Sequence, residues 1–247
     1  MITIDAKDID YKTLNARIRQ EIRKGEKNIH LQNVSGHRYI GDGIQGNDIS
    51  IHIEGVPGED MAAFMDGPKI IVENNAQDGV GNTMNDGKVI IHGLAGDVLG
   101  YGMRGGRLYV KGDVGYRVGI HMKGYMDKIP VMVIGGKAGN FFGEYMAGGL
   151  LILLGLNSKD SHRPVVGDYC ATGMHGGIIY IRGKIEEHKL GKEVKHFPLE
   201  KQDEFTLKPI LSDFCKEMRE NYDVFDFSQY SKIIPVSKRP YGRMYVY

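Results

Sequence analysis

The sequence predicts an all-β protein: a single-stranded, right-handed parallel β-helix of about seven turns, with helical and extended arms at its ends. Three observations lead there. Glycine fills 35 of 247 positions, about twice its ordinary share of roughly 7%. Seven segments repeat one order: an apolar anchor, one or two glycines, then a β-rich run usually closed by glycine. The anchors are Ile44, Met65, Met84, Met103, Met122, Met146 and Met174, separated by 21, 19, 19, 19, 24 and 28 residues. A period of roughly 20 residues suits one coil of a solenoid that buries its apolar side against its neighbours. Helical repeats tolerate neither this glycine density nor these β-branched runs, and a flexible linker would not carry "LLILLG". The hexapeptide rhythm of left-handed β-helices is missing, so the coil is expected to be right-handed.

The N-terminal arm, residues 1–32, contains an amphipathic helix over 8–24, with Asp8 or Asp10 as its cap and Gly25 as its stop. The β-helix is assigned to residues 33–190. Glycine belongs at its corners, where positive φ carries no steric penalty. The two longest steps hold insertions, "GYMDKIP" and "GLNSKDSHRPVVGDYC". The C-terminal extension, residues 191–247, carries one helix starting near Pro209, with Ile210, Phe214 and Met218 on one face. The tail "IIPVSKRPYGRMYVY" reads as extended.

Strand side chains alternate between faces. With the strands aligned on their closing glycines, Val89/Ile91, Leu108/Val110, Val131/Val133, Leu151/Leu153 and Ile179/Ile181 should point inward. Ile71, Ile90, Tyr109, Met132, Ile152 and Tyr180 should then form an outward row without a charge. A soluble domain rarely leaves such a row in water. Either the chain's own termini cover it or it is the interface for a partner subunit.

The remaining composition narrows the function. Lys+Arg 32 nearly cancel Asp+Glu 31, so no field draws the chain to nucleic acid or to an anionic membrane. No apolar run approaches the roughly 18 residues of a membrane span, and the N-terminus lacks a signal-peptide core. Two cysteines, Cys170 and Cys215, supply no CxxC pair for zinc or iron–sulfur and fit a reducing compartment. A cytoplasmic protein is expected.

"GDGIQG" and "GYGMRGG" superficially match GxGxxG loops, but strands follow them where a dinucleotide site needs a helix. His121 and His175, beside anchor methionines, read as corner residues in preference to a metal pair. Glu144 reads as a cap for backbone N–H groups, and Cys170 lacks support as a nucleophile. No catalytic, cofactor-binding or metal-ligating set emerges, so the chain is not expected to be catalytic alone.

"GDVLGYGMRGG", "GEYMAGG" and "GMHGGIIYI" closely resemble the C-terminal GXGXG β-helix domain of the glutamate synthase large subunit. "NVSGHRYIGDGIQG" resembles the start of that domain, with its Arg-x-x-Gly element at Arg38 and Gly41. The resemblance spans about 33 to 183. It implies a right-handed β-helix that serves as scaffold beside a glutaminase domain and an FMN-binding barrel. The chain starts Met-Ile-Thr, without the glutaminase's N-terminal cysteine, so the resemblance implies a split enzyme of the kind N-methylglutamate synthase also illustrates. A glutamine amidotransferase subunit and an FMN-binding synthase subunit would be separate chains, with FMN and iron–sulfur on them. This chain would join them as a non-catalytic structural subunit; a homo-oligomer is allowed as well. The alternatives are the subunit of a formylmethanofuran dehydrogenase-type complex that shares the repeat, and a self-contained β-helix acting on carbohydrate.

Overall fold

The structure is a computed structural model that describes residues 1–156 and 164–236. One sheet of eleven strands organises it. Its strands are β1 (Ile2–Asp5), β2 (Asn28–Ser35), β3 (Ser50–Val56), β4 (Asp66–Val72), β5 (Asp86–Ile91), β6 (Arg107–Val110), β7 (Val131–Ile134), β8 (Ala147–Leu153), β9 (Gly176–Arg182), β10 (Val194–Pro198) and β11 (Tyr230–Pro235). From β1 to β9 each strand pairs in parallel with the next. The result is a parallel β-solenoid of about six turns, not seven: seven anchors bracket six intervals.

The interior follows from the register. Ile51, Ile70, Val89, Leu108, Met132, Leu151 and Ile179 are successive Cα partners and all are solvent-free. The anchors Met65, Met84, Met103, Met122 and Met146 are equally buried. Methionine suits this place because its flexible thioether fills irregular gaps between coils.

One expectation about facing fails. Met132 partners Leu108 and Leu151 and points inward, with Ile134; Val131 and Val133 point outward. The strand "VMVIGG" ends on two glycines, and the second, Gly136, sits on the closing Gly112 of the previous coil (N–O 3.0 Å). Gly135 takes the place of Lys111, where a Cβ would stand 2.3 Å from the Lys111 carbonyl oxygen. Alignment on the first glycine therefore shifts β7 by one residue and inverts it.

Close approach, as much as positive φ, explains the corner glycines. A Cβ on Gly115 would lie 1.8 Å from Asp97 Oδ1, the oxygen that accepts from Tyr116 N at 2.8 Å. Asp78 serves Asp97 N in the same way one coil earlier, at 2.8 Å.

The ends are closed. Helix α1 (Tyr11–Arg23) is capped by Asp10, which accepts from Lys12 N and Thr13 N, and buries Leu14 and Ile18 in the interior cluster. The sheet already includes β1 and the start of β2 before residue 33. At the far end β11 pairs antiparallel with β9 and β10 pairs outside it. Helix α2 (Lys201–Met218) begins eight residues before Pro209, on a Glu200/Asp203 capping box. Pro209 is tolerated inside it because Phe205, whose carbonyl loses its N–H partner, is exposed to water.

The insertion at 124–130 is a tight excursion whose Lys128 reaches back to Asp66 (3.0 Å) and Asp86 (3.2 Å). Residues 157–163 of the second insertion, and the tail from 237, lie outside the described residues. Among the described residues, no helix is long and apolar enough to cross a membrane.

Candidate partner-binding surface

The outward row runs Ile71, Ile90, Tyr109, Val133, Ile152 and Tyr180. It is not open. Helix α2 lies along it and buries Leu207, Ile210, Leu211, Phe214 and Met218 against it. Ile90, Tyr109 and Ile152 have no exposed surface. The Phe214 ring meets Tyr109 edge-on at 5.6 Å. Of the two covers the sequence allows, this chain's own C-terminal helix occupies the place.

Polar contacts frame that seat. Lys88 Nζ lies 3.0 Å from both Asp213 and Glu217, and Lys69 lies 2.9 Å from Glu217. Tyr109 donates to Asp213 at 2.8 Å, and Arg107 donates to the same carboxylate. Burial works to raise the Asp213 carboxyl, but the bonds from Lys88, Tyr109 and Arg107 outweigh it and hold it below the usual carboxylate range. Burial also pushes the Tyr109 phenol up, so it stays a neutral donor. At the other end of the row Tyr180 donates to Asp203 at 2.8 Å, and Lys232 from β11 does the same at 2.8 Å.

The structure places each chemical candidate of the sequence as follows. Cys170 is buried, and burial pushes its thiol up to about 12, which keeps it protonated and unreactive. Glu144 is buried with its Oε2 lacking a hydrogen bond; Arg117 Nε stands 3.6 Å away. That oxygen thus faces a guanidinium. His175 turns its Nδ1 to Gly173 O at 3.2 Å, while His121 stacks on Tyr145 with ring centroids 5.3 Å apart. Among the described residues one group could hold a metal ion: His30, His52 and Glu54.

The surface that does stand open is a corner of the solenoid. The residues just before the anchors Met84, Met103, Met122, Met146 and Met174 are Thr83, Gly102, His121, Tyr145 and Gly173, all with φ between 52° and 69°. Four residues earlier in the last three coils stand Arg117, Phe141 and Tyr169, with φ of 55°, 62° and 61°. Two ring ladders result. Tyr101 meets His121 edge-on at 5.8 Å, and His121 stacks on Tyr145. Arg117 lies 4.9 Å over Phe141, which stacks on Tyr169 at 5.0 Å. Tyr101, Tyr145 and Tyr169 are 41%, 45% and 58% exposed.

Left-handed backbone costs a non-glycine residue about 1 kcal/mol or more, and glycine holds the equivalent place at 102 and 173. Ring stacking recovers part of that cost. Left-handed φ recurs at the same corner in earlier coils, at Phe64, Thr83 and Val98, so the backbone belongs to the coil and the stacked, exposed rings are what the later coils add. Sequence reasoning missed this corner because it read the pre-anchor residues one coil at a time. Stacking them column by column was the available signal.

The chain matches the family described as GXGXG motif over residues 12–235. It is 50% identical over 252 aligned positions to a protein named Uncharacterized protein MJ1350, of Methanocaldococcus jannaschii, covering 99% of this chain and 96% of that protein.

Proposed function

Because the chain belongs to the GXGXG motif family, whose domain occurs in glutamate synthase, we propose that it is the structural subunit of a glutamate-synthase-type complex. It joins a glutamine amidotransferase subunit to an FMN-dependent synthase subunit, and FMN and iron–sulfur belong to those partners. Its place is the cytoplasm, where the free thiols of Cys170 and Cys215 stay reduced. The role is glutamate biosynthesis: ammonia released on one partner is consumed on the other, and a rigid spacer keeps the two sites in register.

The observation that carries this reading is the family match over almost the whole solenoid. The exposed ladders Tyr101–His121–Tyr145 and Arg117–Phe141–Tyr169 support it, as aromatic and arginine anchors of the kind that dominate protein interfaces. The formylmethanofuran dehydrogenase and carbohydrate readings gain no comparable support.

The test is purification from native cells through this chain, followed by assay for glutamine-dependent glutamate formation. Both partners should co-purify with that activity. Replacing Tyr145→Gly and Tyr169→Gly together should release them while the circular dichroism spectrum is unchanged. A chain recovered with neither partner overturns the proposal.

A further inference from the structure

The outward row continues past the point where α2 ends. Ile71 partners His52, and His52 partners His30. The two rungs beyond the helix therefore carry imidazoles on the same face as the covered apolar residues. Their rings stand 5.1 Å apart, tilted by 40°. Glu54 and Glu73 lie on adjacent rungs of the neighbouring outward column.

We propose that His30, His52 and Glu54 bind a divalent transition-metal ion of the zinc type. Nitrogen and carboxylate ligands in this combination suit a borderline-soft cation. The three ligand atoms already lie within 4.8 Å of one another. Small side-chain rotations bring them to the about 3.4 Å separation that zinc–ligand bonds of roughly 2.1 Å require. His30 Nε2 is shielded from solvent and makes no hydrogen bond. Glu54 Oε1 is 2.9 Å from it, but outside hydrogen-bond geometry, so a proton on that nitrogen cannot be aimed at the carboxylate. A cation shared by both satisfies the pair.

The surroundings are built to orient these ligands. Gln32 Nε2 donates to Glu54 at 3.3 Å. Glu73 holds His52 Nε2 at 2.7 Å and is itself gripped by both terminal nitrogens of Arg219, at 2.8 and 3.2 Å. Such partners fix ring orientation and tune affinity. Arg219 is the C-cap residue of α2, so the bound ion staples β2 to β3 beside the anchored end of the covering helix.

The experiment uses the untagged full chain, stripped with chelator and titrated with Zn²⁺ by calorimetry and with Co²⁺ by visible absorption. One ion per chain should bind, and Co²⁺ should develop the intense d–d bands of a low-coordinate imidazole site. His30→Ala or His52→Ala should weaken binding by at least about a hundredfold, and the milder Glu54→Gln by about tenfold. His196→Ala, which alters a histidine near Glu187, should change nothing. Failure of Zn²⁺ to bind, or binding that survives in a folded His30→Ala/His52→Ala double variant, overturns the proposal.

Discussion

Asp213→Ala tests how α2 is locked onto the sheet. The carboxylate accepts from Lys88, Arg107 and Tyr109, and the three donors fare differently without it. Lys88 keeps Glu217 at 3.0 Å. The Arg107 side chain is 40% exposed and turns to water; partly exposed pairs of this kind are worth about 0–1 kcal/mol. Tyr109 is solvent-free, so its hydroxyl proton is orphaned at about 1–3 kcal/mol. The sum is about 1–4 kcal/mol, or a melting shift of roughly 2–16 °C for a chain of this size. Tyr109→Phe alone should cost about 1 kcal/mol. In the double variant no hydroxyl remains to be orphaned, so the two losses should fall short of additivity by about 1–2 kcal/mol. Denaturant unfolding followed by circular dichroism measures the cycle, and hydrogen exchange at the α2 amides shows whether the loss is local. An Asp213→Ala chain indistinguishable from the parent, or a fully additive double variant, would refute the assignment of the cost to Tyr109.

Two further outcomes follow from the same contacts. Gly115→Ala should cost about 1–3 kcal/mol, because its methyl displaces the Asp97 carboxylate that accepts from Tyr116 N. Gly43→Ala meets nothing within 4 Å at φ +58° and should cost only about 1 kcal/mol of backbone strain; thermal melts of equal size for the two variants would contradict this account. In acid, α2 should loosen first. Burial works to raise Glu73, but hydrogen bonds from Arg219 and His52 pull it from 4.5 down to about 2, and Asp203, Asp213 and Glu217 are held low as well. Carboxylates with depressed folded values stabilise above their unfolded range and lose that contribution as pH falls through the folded value. Exchange protection in α2 should therefore decline between about pH 4.5 and 2; protection that is flat across this window refutes the clasp.

The primary structure alone determined the coil. A period of roughly 20 residues, methionine anchors and corner glycines are local signals, and each coil repeats them, so the strands, their parallel order and most of the interior were legible. An aspartate cap and the Gly25 stop of α1 were legible for the same reason, while the choice of Asp10 over Asp8 came from the structure. The boundary of α2 was less legible, because Pro209 advertises a first turn while the Glu200/Asp203 capping box starts the helix earlier. What only the tertiary structure decided is where distant residues meet. The stacking of Gly136, not Gly135, on Gly112 sets the facing of β7, and Asp213 beside Lys88 closes the outer row across 125 positions. The open aromatic corner, and the imidazoles of His30 and His52 beside Glu54, exist as groups only because successive coils stack at one strand spacing. Periodicity records what each coil does to itself; the pairing of coils with arms depends on contacts that no single stretch of chain contains.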